Sequence, residues 1–141
     1  LRQRFPELRR VNADGEPIPV AESAAHIDDA QRGSSYRGGE DTAYLREQPK
    51  QLTLDRDGAA KNRSDSLRSV PPEPSKDRDE YPPATFRQGG KGASVKYIEP
   101  SDNRGAGASM GNQLRRQPVE GSYDRQTRRV ENGETVVIET Y

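Results

Sequence analysis

The sequence predicts an α+β fold, a small antiparallel sheet with short helices packed against it. Two runs rich in β-branched and aromatic residues, 93–98 and 135–141, are typical of strands. Small and apolar residues at helical spacing predict a helix over 59–67, and the alternating residues 52–54 predict a short strand before it. Glycines and prolines separate these segments, as expected for short elements joined by turns. The last strand is expected to pair with 93–98 or with a segment before Asn132.

The composition limits the size of the core and the class of protein. Only 28% of the 141 residues are hydrophobic and 33% are charged, which is close to the balance of disordered chains. The apolar residues are concentrated in a few segments, so we expect one domain with a small, polar-rimmed core. A net charge of zero excludes a strongly basic nucleic-acid binder but leaves room for a local positive groove. The arginines available for such a groove are Arg104, Arg115, Arg116, Arg125, Arg128 and Arg129.

Several kinds of site and segment are excluded directly. The chain has no cysteine, which rules out disulfides and thiolate metal sites. No apolar run approaches the ~20 residues that cross a bilayer, and no apolar leader follows Leu1. The start at Leu1 is expected of a piece cut from a longer polypeptide. His26 is the only histidine, and because it is expected to lie outside the folded domain, histidine-dependent triads and multi-histidine zinc sites are both excluded.

The chain divides near residue 50. Residues 1–50 are predicted to be a linker-like N-terminal region, and residues 51–141 the folded domain. Within the first part, an Asp-Gly turn predicts a small hairpin over 11–17, and residues 21–31 predict a short helix. The Gly-Ser and Gly-Gly steps that follow are typical of linkers, so His26 is expected to lie in a mobile arm.

The densest set of functional side chains lies further along the chain. Asp77, Asp79 and Glu80 place three carboxylates in four residues, and such crowding raises at least one pKa unless a cation lies among them. Downstream, 101–103 predicts a turn, and the following glycines permit close approach of a ligand to the backbone. A helix is predicted over 106–114. Carboxylates and carboxamides around one small hole would suit a divalent cation and a phosphate.

These segments resemble the signature of the NucA/NucB-type deoxyribonucleases, small bacterial non-specific endonucleases. The resemblance rests on DRDEYPPAT (77–85) and GGKGASVKYIEPSDNRGAGASMGNQ (89–113), preceded by LTLDRDGAAKNRSDSL (52–67). It implies a relation to the ββα-metal (His-Me finger) nucleases, in which a strand pair and a helix grip one divalent ion. In the NucA/NucB group an aspartate takes the place of the usual histidine general base.

The resemblance also implies roles for individual residues. The catalytic residues would be Asp79 as the base, Glu80 orienting water or a ligand, and Arg104 on the scissile phosphate. One Mg²⁺ or Mn²⁺ ion would be bound by Asn112, with Asn103 and Gln113 completing or orienting its shell. Further contacts to the substrate are expected from Arg78, Arg115 and Lys61. DNA held through its phosphates would be cut with little sequence preference and a strong salt dependence.

One departure from the family bears on where the protein acts. Secreted members usually carry a cysteine pair near the positions of Leu52 and Phe86, which are both apolar here. A domain without disulfides is suited to a reducing cytoplasm. We therefore expect a metal-dependent non-specific DNase that is the toxin domain of a secreted bacterial effector. It would act in the cytoplasm of a target cell and be neutralised in its producer by an immunity protein.

Three other functions stay open at this point. The first is an RNase toxin on the same scaffold, because phosphate-directed chemistry does not by itself select the sugar. The second is a non-catalytic segment that folds on a partner, which the polar composition favours. The third is a metal-dependent hydrolase of another substrate.

Overall fold

The computed structural model of the chain describes residues 1–3, 10–11, 14, 17–18 and 22–140. Its helices are α1 (Glu22–Gln31), α2 (Ala59–Leu67) and α3 (Pro100–Arg115), with a 3-10 turn at Arg56–Gly58. Its strands are β1 (Arg2–Gln3), β2 (Arg10–Val11), β3 (Pro17–Ile18), β4 (Ser34–Leu45), β5 (Gln51–Thr53), β6 (Asp77–Tyr81), β7 (Ser94–Ile98), β8 (Gln117–Pro118), β9 (Thr127–Arg128), β10 (Thr135–Val137) and β11 (Glu139–Thr140). None of the helices in these ranges is both long enough and apolar enough to cross a membrane.

A three-stranded sheet in the order β4-β7-β6 is the centre of the fold. β6 and β7 are antiparallel, with Asp77 opposite Ile98 and Tyr81 opposite Ser94. β7 leads directly into α3, so two strands and a helix follow one another along the chain. This arrangement confirms the α+β class. The sheet is mixed rather than wholly antiparallel, because β4 joins β7 in parallel.

The other strands form pairs around this sheet. β5 pairs with β10, β1 with β11, β2 with β3 and β8 with β9. The strand near the C-terminus does not pair with 93–98; its partner is β5, far upstream of Asn132, with Leu52 opposite Val136. The physical reason is that β7 already has β4 on one edge and β6 on the other. The predicted hairpin near residues 11–17 is present as the antiparallel pair β2 and β3.

The core draws on the N-terminal region as well as the predicted domain. Its buried residues are Ile27, Ala30, Leu52, Leu54, Tyr81, Phe86, Leu114, Val130 and Ile138. The predicted helix over 21–31 is confirmed as α1, and it packs against α3, β4 and β6. Because α1 buries two core residues and β4 completes the central sheet, residues 22–45 are not a linker, which corrects the prediction for that part.

The helix α3 is longer than the sequence predicts. It begins at Pro100, not at residue 106, and continues through Gly105, Gly107 and Gly111 to Arg115. Proline is favoured at the first helical position, where its missing N–H has no helical partner. Each helical glycine costs about 1 kcal/mol relative to alanine, so the glycines suggested a turn. The consequence is that Asn103, Asn112 and Gln113 all lie on one helix.

Candidate active site

A cleft of about 570 Å³ lies between the outer edge of β6 and one face of α3. Asp79 and Glu80 line it from β6, and Asn103, Gly107 and Met110 line it from α3. Six arginines also line it: Arg56, Arg63, Arg78, Arg104, Arg115 and Arg129. The acidic residues of the lining are Asp79 and Glu80, so the cleft has an excess of positive charge although the chain as a whole has none. A cleft of this kind attracts anions.

The Asp79 carboxylate is bound by a residue of α1. Its Oδ2 lies 2.7 Å from Nδ1 of His26, and its side chain is only 14% exposed. Strand alternation turns Asp79 to the face of β6 on which α1 packs. One carboxylate oxygen is therefore engaged by the imidazole, and none of the hydrogen bonds of the described residues engages Oδ1.

Glu80 projects to the other face of β6, towards α2. Its carboxylate accepts a hydrogen bond from the Ser66 hydroxyl, and Nε of Arg63 lies 3.9 Å from its Oε2. Burial raises the pKa of the Glu80 carboxyl, and the Ser66 hydrogen bond and the Arg63 charge only partly oppose this. Both acids still reach the cleft, because it wraps around the edge of the sheet.

Asp77 joins the end of β6 to α3. Its Oδ2 accepts a hydrogen bond of 3.1 Å from Nδ2 of Asn103 and lies 3.6 Å from Nε of Arg104. The Arg104 side chain is nevertheless 77% exposed. Asp77 thus fixes the direction of both side chains at the cleft and leaves the Arg104 guanidinium accessible.

Of the three basic residues that were expected to bind substrate, two line the cleft and one does not. Arg78 and Arg115 line the cleft, held by the carbonyl of Val70 (3.0 Å) and by Oδ1 of Asn112 (2.8 Å) respectively. Lys61 is not among the lining residues. Its Nζ binds Oδ2 of Asp65 at 2.7 Å on the exposed side of α2, since residues four apart share one side of a helix.

The three carboxamides predicted to bind a metal are not brought together. Asn112 follows Asn103 by nine residues, and at about 100° per residue the two side chains leave opposite sides of α3. The Gln113 carboxamide accepts the Arg2 N–H and donates to the Arg2 carbonyl, both at 2.8 Å. Only Asn103 lines the cleft. The expected metal shell of all three residues is corrected accordingly.

The position of His26 differs from the one that the sequence predicts. It is fully buried on α1, and its Nε2 lies 2.7 Å from the Ser94 hydroxyl on β7. The expectation of a mobile arm is therefore corrected. The signal was present in the sequence, because His26 precedes Ile27 in a predicted helix whose apolar side must be buried.

The oxygen donors of the cleft are of the type that a hard divalent cation binds. They are the carboxylates of Asp79 and Glu80 and the carboxamide of Asn103, whose Nδ2 already donates to Asp77. Mg²⁺ binds such oxygens and usually keeps several waters beside substrate phosphates. In the part of the chain that the structure describes, no three His, Cys, Asp or Glu side chains cluster closely enough to hold a metal.

Comparisons with known proteins identify relatives of the chain. Residues 33–124 match the family described as Deoxyribonuclease NucA/NucB. Over 62 residues the chain is 55% identical to a DNA-entry nuclease of Bacillus subtilis (strain 168), which covers 44% of this chain and 42% of that protein. The chain therefore spans about two fifths of the length of that relative. The matched range contains β6, β7 and α3, and α1 with His26 lies before it.

Proposed function

Because this chain belongs to the NucA/NucB deoxyribonuclease family, we propose that it hydrolyses DNA phosphodiester bonds in the cleft between β6 and α3. The observation that carries this proposal is a carboxylate, Asp79, inside a cleft lined by six arginines. The arginines are suited to a polyanionic backbone, and their contacts to phosphates would carry no sequence information. A non-specific endonuclease is the activity that this combination supports best.

In the proposed reaction Asp79 is the general base. Its Oδ1 accepts a proton from the attacking water, while Oδ2 stays bound to His26. Arg104 binds the scissile phosphate and stabilises the charge that develops on it. The remaining arginines hold the flanking phosphates. Glu80 orients water at the edge of β6.

We also propose that the reaction needs one Mg²⁺ or Mn²⁺ ion. The carboxamide oxygen of Asn103 would help to hold it, together with water and phosphate oxygens. When bound, such an ion supplies positive charge to the phosphate and the leaving oxygen. Asn112 and Gln113 have no part in this proposal.

The experiment that tests the function is plasmid nicking with added Mg²⁺ or Mn²⁺. Asp79→Asn should lower the nicking rate by ~10²-fold or more, the usual contribution of a general base. EDTA should abolish nicking, and added metal should restore it. Asp124→Asn is the matched control, because Asp124 is exposed and lies outside the cleft. Cleavage by Asp79→Asn at the wild-type rate would show that another group is the base.

The same assay separates the other functions. Total RNA incubated in parallel with plasmid shows whether the protein distinguishes deoxyribose from ribose. Arginine contacts to phosphates would not do so, because both polymers have the same phosphates. No nicking with any divalent metal would favour a non-catalytic role. The cleft is a reason to prefer catalysis, because a passive binding surface has no need of a partly buried carboxylate among arginines.

We propose separately that the domain acts as a toxin inside a target-cell cytoplasm. Leu52 and Phe86 are fully buried in the core, so the core at these positions closes without a covalent bridge. Expression in a bacterial cytoplasm should arrest growth and degrade DNA, and Asp79→Asn should relieve both effects. Harmless expression of an enzyme that is active in vitro would contradict this role. An immunity protein would be sought as a neighbouring gene product that restores growth.

A further inference from the structure

The His26 imidazole is completely buried, and both of its nitrogens have partners. Nδ1 lies 2.7 Å from Oδ2 of Asp79, and Nε2 lies 2.7 Å from Oγ of Ser94. The same Ser94 oxygen accepts a hydrogen bond of 2.8 Å from the backbone N–H of Tyr36. A continuous chain of hydrogen bonds therefore runs from the backbone of β4 through a hydroxyl and an imidazole to the proposed base.

The partners decide where the protons lie in this chain. The Ser94 oxygen accepts the Tyr36 N–H, and among the hydrogen bonds of the described residues Nε2 of His26 is the acceptor within reach of its hydroxyl hydrogen, so we assign that hydrogen to Nε2. Nε2 is then an acceptor, and Nδ1 carries the hydrogen that is donated to Asp79. The opposite tautomer would place the Nδ1 lone pair against a carboxylate oxygen. An imidazolium would leave the Ser94 hydroxyl hydrogen without an acceptor among the hydrogen bonds of the described residues.

We propose that His26 is a positioning residue for Asp79. Its Nδ1–H fixes Oδ2 and thereby the rotamer of Asp79, so that Oδ1 faces the water in the cleft. This inference rests on the proposed function, because it assigns a role to His26 through the base of that reaction. His26 does not itself meet the substrate, since it is fully buried and does not line the cleft.

The neighbouring acids lack this support. Asp77 is bound to Asn103 and Arg104 on α3, and Glu80 is bound to Ser66 on α2. The Tyr36 ring also packs edge-on against the imidazole, with centroids 5.8 Å apart and planes at 71°, which fixes the plane of the His26 ring. Glu80 also has a buried donor, the Ser66 hydroxyl, but of these three acids Asp79 is the one bound to an imidazole whose ring is itself packed on both the hydroxyl and the aromatic side.

The first test is spectroscopic and needs no variant. Because the chain has one histidine, a long-range ¹H–¹⁵N spectrum of the labelled protein contains one imidazole. We expect an Nδ1 signal of the protonated type and an Nε2 signal of the unprotonated type at neutral pH. A spectrum of the Nε2–H tautomer, or of an imidazolium, would overturn the proposal.

The second test compares two substitutions of His26. The amide nitrogen of asparagine can occupy the place of Nδ1, so His26→Asn keeps a donor to Asp79. In His26→Gln the amide lies nearer the place of Nε2, which keeps the Ser94 contact and removes the donor. Misplacement of a catalytic group costs as much as ~10²-fold. We therefore expect His26→Gln to lower kcat by roughly that factor with KM little changed, and His26→Asn to recover much of it.

The outcomes distinguish this inference from the proposed function. Equal losses in both variants, or a loss confined to KM, would mean that His26 is only structural. An unchanged kcat in a folded His26→Gln protein would also overturn the inference and leave the nuclease proposal intact. If the wild-type protein does not cut DNA, the nuclease proposal itself fails. If both variants unfold, the tautomer of the wild-type imidazole decides.

Discussion

At the scale of single residues, three neighbouring acids differ because each has a different partner. Asp77 binds a carboxamide and a guanidinium, Asp79 binds an imidazole, and Glu80 binds a hydroxyl. Strand alternation sends Asp79 and Glu80 to opposite faces of β6. The crowding of charge that the sequence suggested is thus relieved by geometry, and the three carboxylates can serve different purposes.

Glu80→Gln should stabilise the fold increasingly as the pH rises. Burial raises the pKa of Glu80 above its usual value of 4.5, so the native state holds the proton more tightly than the unfolded state. That contribution to stability is complete below the unfolded pKa and is lost as the pH rises through the folded pKa. Urea unfolding at pH 4 and pH 7 measures the difference. A variant less stable than wild type at pH 7 would show that Ser66 and Arg63 outweigh burial.

At the scale of elements, α3 makes three different kinds of contact. One side lines the cleft, and a second holds β1 through Gln113. A third contact is made near its start, where the Asp102 carboxylate accepts hydrogen bonds from the backbone N–H groups of Glu22 and Ser23 at the beginning of α1. Such a carboxylate suits the positive end of a helix dipole. The helix therefore places α1, and with it His26, against the cleft.

Asn103→Ala and Asn112→Ala should differ in their metal dependence. Asn103 lines the cleft, and Asn112 projects from the opposite side of α3. We expect Asn103→Ala to raise the Mg²⁺ concentration needed for half-maximal nicking by ~10-fold, as expected for loss of one charge-assisted contact of about 1.5 kcal/mol. Asn112→Ala should leave it unchanged. The reverse pattern would restore Asn112 as a ligand.

Arg63→Ala and Lys61→Ala provide a matched pair on α2. Arg63 lines the cleft, and Lys61 is paired with Asp65 outside it. Loss of one phosphate contact should reduce the slope of log K against log salt by ~0.9 in Arg63→Ala. Binding of catalytically inactive Asp79→Asn protein to DNA at several salt concentrations measures this slope. An equal effect of Lys61→Ala would mean that DNA also covers the outer side of α2.

At the scale of the whole molecule, the folded unit extends across the predicted boundary at residue 50. α1 buries Ile27 and Ala30 in the core, and β4 occupies one edge of β7. The N-terminal strand β1 pairs with β11, so the two ends of the described chain meet. A chain with so few hydrophobic residues depends on each of these contributions.

A protein consisting of residues 51–141 should therefore not fold cooperatively. It lacks α1 and β4, and loss of a single large buried aliphatic side chain already costs about 2–5 kcal/mol. Typical domains have only about 5–15 kcal/mol of stability. Circular dichroism with urea titration of the whole chain and of the fragment compares them directly. A sigmoidal transition and nuclease activity in the fragment would support the original boundary.

The sequence by itself determined the elements whose signals are local. The α+β class, the bounds of α2, the presence of α1 and the strand at 94–98 follow from periodicity and from turn residues. Asp79, Arg78 and Arg104 were expected at the site from the signature and Arg115 from its place among the available arginines, and all four line one cleft. The net charge of zero does not reveal that cleft, because a total charge says nothing about where the charged residues lie in the fold.

Only the tertiary structure decided what depends on contacts between distant segments. His26 and Asp79 are 53 positions apart, and no local pattern states that α1 packs on β6. Arg56 and Arg63 line the cleft and Lys61 does not. The direction of a side chain on a helix depends on the surface against which the helix packs. Asn112 and Gln113 lie close to Asn103 in sequence. Because α3 begins at Pro100 and is continuous, all three belong to one helix, and Asn112 and Gln113 project from sides of it other than that of Asn103.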